Sequence, residues 1–144
     1  VKDSIGDTAL ASYDYGEKVI NISKKEAAYI KQFGQEKYFG NINASGVLEA
    51  RSFSDVAYHE CMHYRQNTAL AGADNINKIT NAYKAAVKHK NTANFSSYSY
   101  TDQFEFMAEL GTAKHKGTTI ESLFMRNKYT EDDFINIKKL WDIL

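Results

Sequence analysis

Polar and apolar positions suggest two short strands near the start of the chain, over residues 9–15 and 18–23, and helical spacing over most of the remaining residues. The two stretches are rich in β-formers and joined by Gly16-Glu17. They predict a hairpin whose second strand, with Val19, Ile20 and Ile22, is the stronger. Ser23 and Glu26 make a Ser-x-x-Glu capping box ahead of a helix that runs through Ala28, Ile30 and Phe33. Residues 41–46 read as loop and 47–50 as a further short strand. Ser54 is the expected N-cap of the next helix, over about 56–69, with Asp55 in a first turn that favours negative charge. Ile76, Ile79, Tyr83 and Val87 recur at three to four residues, which predicts an amphipathic helix over 76–88. Residues 91–100 are polar and irregular. Thr101-Asp102 opens a helix over 103–114 that stops near Gly117, and Thr130 caps a last one with Phe134, Ile137, Trp141 and Leu144 on one face. The expected class is α+β, mostly helical with a small hairpin or sheet. With no repeat and no Gly-, Pro- or Ser-rich linker, residues 1–144 are expected to form a single domain.

Charge changes this picture by exclusion. The 18 Lys and Arg balance 18 Asp and Glu, so nothing draws the chain to nucleic acid or anionic lipid. Its apolar runs fall far short of the roughly 20 residues a membrane-spanning helix needs. The one cysteine, Cys61, allows neither an internal disulfide nor a Cys-rich zinc motif.

The chemistry is concentrated in His59-Glu60-Cys61-Met62-His63. Histidines four apart lie one turn above each other on a helix, so their ring nitrogens can converge on one metal ion. Glu60 is turned roughly 100° from His59, beside the open coordination position, where a carboxylate can take a proton from an activated water. This is the spacing of zinc metallopeptidases. A third ligand six residues past His63 is ruled out, because Ala69 stands there and Gln66 occupies the intervening glycine position. Glu105 and Glu109 offer another route. They sit four apart in an otherwise apolar stretch, so one could ligate while the other hydrogen-bonds a ligand histidine.

The segment Tyr98-Ser99-Tyr100-Thr101-Asp102-Gln103-Phe104-Glu105-Phe106-Met107-Ala108-Glu109 resembles the corresponding stretch of the anthrax-lethal-factor group of zinc endopeptidases, which includes bacterial Pro-Pro endopeptidases. In that group a tyrosine stands seven residues before a Glu-Phe-x-Ala-Glu segment. The resemblance implies Glu105 as third zinc ligand, Tyr98 as catalytic tyrosine, Glu109 as a support behind the ligands, and a zincin-like fold of the gluzincin type. Tyr100 is the rival to Tyr98. Met62 stands where the group usually has glycine before the second histidine, which should alter packing behind the helix. The likeness covers the motif helix and residues 98–109, extends weakly to the last helix, and is not evident in the first 50 residues.

Together these readings predict a zinc-dependent endopeptidase with one Zn2+ per chain, held by His59, His63 and Glu105. Glu60 is the general base and Tyr98 the oxyanion donor. A peptide or protein substrate would pair with the edge strand Val19, Ile20, Asn21 and Ile22 by β-augmentation. A monomer is expected. A chain that opens at Val1 without a leader reads as a mature secreted bacterial form or a domain of a larger toxin, in preference to a cytoplasmic protein. The alternatives are a degenerate or autoregulatory zincin that binds a partner without turnover, and a helical interaction module in which the motif is accidental. Cys61 reads as core packing, His89 as a solvated helix end, His115 as a favourable helix C-terminal charge, Asp102 as a first-turn dipole residue and Trp141 as core.

Overall fold

The structure, a computed structural model, describes residues 11–14 and 19–144. Two strands, β1 (Ala11–Asp14) and β2 (Val19–Ile22), form an antiparallel hairpin in which Ala11 is opposite Ile22 and Asp14 opposite Val19. The predicted turn at Gly16-Glu17 lies outside the described residues. Seven α-helices are present among the described residues: α1 (Lys24–Phe33), α2 (Gln35–Ala44), α3 (Phe53–Gln66), α4 (Ala73–Val87), α5 (Gln103–His115), α6 (Ile120–Leu123) and α7 (Glu131–Ile143). The architecture is mostly helical with one small hairpin. No helix among the described residues is long and apolar enough to cross a membrane.

Helix starts depend on side-chain capping. Ser23, Thr119 and Thr130 each accept a backbone N–H three residues on, as the Ser-x-x-Glu pattern predicted for α1. Elsewhere the structure corrects the sequence reading. Residues 41–44 belong to α2, which begins directly after Gly34, whose positive φ of 87° ends α1 without ending helical structure. Residues 47–50 form no strand. The cap of α3 is Ser52, whose Oγ accepts the Asp55 N–H at 3.1 Å, so this helix starts and ends about three residues earlier than predicted. Asp102 is itself the N-cap of α5 and not a first-turn residue.

The main apolar cluster is built around α5, buried without interruption from Phe106 to Ala113. A helix apolar on every side must be enclosed, and α3, α4 and α7 pack against it. A second cluster gathers Tyr38, Phe39 and Ala50 under Phe53 and Val56 at the start of α3. Helix α3 thus touches one cluster with its first turn and the other with Tyr58 and Met62. Cys61 is exposed rather than core. The buried face of α3 carries Asp55, His59 and Met62, and Cys61 is turned about 200° from His59 on a helix packed on one side. His89 is not a free helix end either. It pairs with Asp133 at 3.2 Å, as does Lys88 at 2.8 Å, tying α4 to the start of α7. The Lys88 hydrogen bond holds the Asp133 carboxyl below its usual range.

Where α3 crosses α5, Met62 lies fully buried against Gly111. A methyl group on Gly111 would stand 2.9 Å from Met62 Cγ and Sδ, so the close approach of the helices depends on a glycine facing a large side chain. The bulk of Met62 is accommodated by Gly111 on the opposite helix. Gly111→Ala is therefore expected to destabilise the fold by about 1–3 kcal/mol through overpacking. Adding Met62→Ala should recover part of that loss, and a double-mutant cycle of chemical denaturation would read the coupling. Additive effects would contradict this packing.

Candidate metal centre

Helices α3 and α5 bring together residues more than 40 positions apart in the sequence. His59 and His63 project from successive turns of α3, and Glu105 from the first turn of α5. The Asp102 carboxylate fixes that turn by accepting the Phe104 and Glu105 N–H groups at 2.8 and 2.9 Å. Glu105 Oε2 lies 3.0 Å from His59 Nε2 and 3.4 Å from His63 Nε2, and the two Nε2 atoms are 3.3 Å apart. Donors about 2.0–2.1 Å from a tetrahedral zinc ion stand about 3.3 Å from one another. The three side chains are thus grouped at metal-ligand separation, and they are the only such group of His, Cys, Asp and Glu among the described residues.

One turn further along α5, Glu109 is completely buried. Its Oε1 meets His59 Nδ1 at 2.8 Å, while its Oε2 accepts the Ser96 hydroxyl at 2.5 Å and the Glu49 N–H at 2.8 Å. The two glutamates differ in height on the helix. Glu105 reaches the outer ring nitrogens, and Glu109 reaches the inner nitrogen of one histidine. A carboxylate on the far nitrogen fixes a histidine's tautomer and ring orientation and raises its basicity as a ligand.

The imidazole of His59 lies between two carboxylates. Burial opposes its charge, but hydrogen bonds to Glu105 and Glu109 outweigh that and lift its pKa to about 10. For Glu105, burial would raise the pKa, yet hydrogen bonds to His59 and His63 bring it down to about 2. Without metal these shifts favour a charged His59 imidazole between the Glu105 and Glu109 carboxylates.

The two tyrosines part company. Tyr98 is 38% exposed, with its ring 6.2 Å from that of His59. Burial and the neighbouring Glu105 carboxylate, with smaller effects from Glu60 and Glu109, raise its pKa to about 12. Tyr100 turns inward instead, packing on Phe95 and Phe106, and its buried hydroxyl has no hydrogen-bond partner among the described residues. The 3-10 turn at Tyr98–Tyr100 points the two side chains in different directions. Glu60 is partly exposed on α3, near enough to Tyr98 to act on it electrostatically.

The predicted substrate edge, Val19–Ile22, is hydrogen-bonded to β1 on one side and to no other strand among the described residues. Asn21 is buried, and Ile22 lines an apolar hollow with Tyr38, Phe39 and Val56. It is β1 that packs against α3. Sequence reasoning missed Ser96 and Glu49, since nothing local marks a serine in a polar loop or a backbone N–H sixty residues from its acceptor. His115 stacks on Tyr58 with ring centroids 4.1 Å apart.

Compared with known proteins, the chain matches no family model, no curated protein and no solved structure.

The ion-pair network has two measurable consequences. At pH 7, metal binding should release about one proton, because a protonated His59 must give up its Nε2 proton to ligate. Calorimetric titration with zinc in buffers of different ionisation enthalpy would read it. In metal-free protein, the raised His59 pKa contributes stability that is full below about 6.5 and is lost as pH rises through about 10. The melting temperature of the metal-free wild type should therefore decline over that range more steeply than that of His59→Gln. Equal slopes would show that His59 is not charged in the folded state.

Proposed function

We propose that the chain is a zinc-dependent endopeptidase of the zincin-like, gluzincin type, acting on peptide or protein substrates. The observation that carries the reading is the grouping of His59, His63 and Glu105 at 3.0–3.4 Å, with Tyr98 exposed beside them. Two imidazoles and one carboxylate are a donor set suited to catalytic zinc, because three protein ligands leave a coordination position open. A zinc ion held there supplies the Lewis acidity that activates water and polarises a peptide carbonyl.

The remaining steps belong to the protein. Glu60 accepts the proton of the attacking water and passes it to the leaving amine. Tyr98 donates its phenolic O–H to the carbonyl oxygen as negative charge develops there. A phenol, whose ordinary pKa is about 10, is protonated at neutral pH, as a donor must be. Glu109 holds the His59 ring through Nδ1. An extended peptide is proposed to add to the edge of Val19–Ile22 that pairs with no other strand among the described residues, where main-chain hydrogen bonds would hold it in register.

The test is cleavage of a peptide library, with zinc content measured on the same samples. Glu60→Gln should keep its zinc and lose activity by orders of magnitude. Tyr98→Phe should lower kcat by about 100–1,000-fold with little change in KM, since a donor to a developing oxyanion acts in the transition state. Tyr100→Phe removes a hydroxyl that has no partner among the described residues and should leave kcat unchanged. If Glu60→Gln cleaves at the parental rate, hydrolysis does not run through this helix.

A further inference from the structure

We infer that Ser96 and the Lys116–Glu49 pair are positioning residues that set the metal affinity of the site from behind, through Glu109 and His59. The inference rests on the reading of His59, His63 and Glu105 as metal ligands.

A fully buried carboxylate needs donors, and Glu109 receives those to its Oε2 from two separate strips of chain outside the helices. Ser96 gives its hydroxyl from one strip and Glu49 its backbone N–H from the other. The strips are fastened together. Ser97 and Tyr98 donate their N–H groups to the carbonyls of Gly46 and Val47 at 2.9 and 3.1 Å, and the Ser96 N–H donates to Glu49 Oε1 at 3.2 Å. Ser99, buried, returns its hydroxyl to the Ser96 carbonyl at 2.6 Å. The ammonium of Lys116, just past α5, donates to both the Glu49 carbonyl and Glu49 Oε2. Glu49 is thus held at its carbonyl and both carboxylate oxygens, which leaves its N–H aimed at Glu109.

With Oε2 fully engaged, Glu109 presents Oε1 to His59 Nδ1 in one orientation only. Removing the Ser96 hydroxyl frees the carboxylate to rotate and weakens its hold on the ring. The same strip carries Tyr98 two residues beyond Ser96, so one set of bonds places a ligand histidine and the proposed oxyanion donor together.

The measurement is the zinc dissociation constant, by competition with a chelating dye, on wild type, Ser96→Ala, Ser96→Thr, Lys116→Met and Lys116→Arg. Loss of a partner behind a metal ligand weakens binding about 10–100-fold. That is the expected change for Ser96→Ala, with recovery in Ser96→Thr, which keeps the hydroxyl. Lys116→Met should weaken binding by less, and Lys116→Arg should restore it. In metal-free protein, the His59 imidazole nitrogen resonances should shift in Ser96→Ala and return in Ser96→Thr, which a merely structural serine would not produce. Wild-type affinity in a folded Ser96→Ala protein would overturn the inference while leaving the metal site intact. A wild type that binds no zinc would overturn the site reading and the inference with it. Should Ser96→Ala fail to fold, the Lys116 pair decides, and equal affinity in Lys116→Met and Lys116→Arg is the overturning result.

Discussion

Glu109 is a carboxylate shut away from water, and the region around the candidate centre is organised by the need to satisfy it. A buried carboxylate left without partners is costly enough to drive it neutral. Here three donors surround it, from α3, from the strip ahead of α3 and from the strip ahead of α5. Those three pieces of chain meet at one side chain. The strips have little regular secondary structure of their own to hold them, so the hydrogen bonds that compensate Glu109 also fix them in place. Burial strengthens these bonds in turn, because a low local dielectric favours each satisfied partner.

The α3–α5 crossing gives this arrangement its rigidity. Met62 fills the space that Gly111 leaves open, and the helices approach closely near the level of the ligands. Gln103, Phe104 and Glu105 at the start of α5 are partly exposed, whereas Phe106 to Ala113 are enclosed, so along this helix the candidate ligand lies at its open end. Glu105 and Glu109 therefore differ in surroundings despite being one turn apart. One sits at the mouth of the site with two imidazoles, and the other at its floor with hydroxyl and amide donors. The proposed peptidase uses that difference directly, with one carboxylate as ligand and the other as the group that orients a ligand.

The two tyrosines show the same partition over a shorter distance. Two residues apart in a 3-10 turn, Tyr98 lies beside His59 and Tyr100 packs into the aromatic cluster of Phe95 and Phe106. The inward ring secures the turn, and the outward ring is presented by it. The hydroxyl of Tyr83 adds a bond to the Tyr100 carbonyl at 3.0 Å, tying α4 to the same turn.

The features legible in the amino-acid sequence are local ones. The Ser23–Glu26 box, the Thr130 cap, the hairpin of short β-rich runs and the four-residue spacing of His59 and His63 all act within a turn or two of chain, where propensity and capping are strong. Helix α2 is hidden from such reasoning because a glycine that ends one helix can directly precede another. Ser54 is the cap expected from the sequence, but Ser52 caps α3, with Phe53 packed against the second apolar cluster. The exposure of Cys61 is equally illegible, because position around a helix axis does not say which side the rest of the protein covers. Tertiary contacts alone bring about the grouping of His59, His63 and Glu105 and the division of roles between Glu105 and Glu109. The same holds for the turning of Tyr98 away from Tyr100 and the service of Ser96, Glu49 and Lys116. The Ser96–Glu109 and Lys116–Glu49 contacts join residues 13 and 67 positions apart, which no local preference encodes.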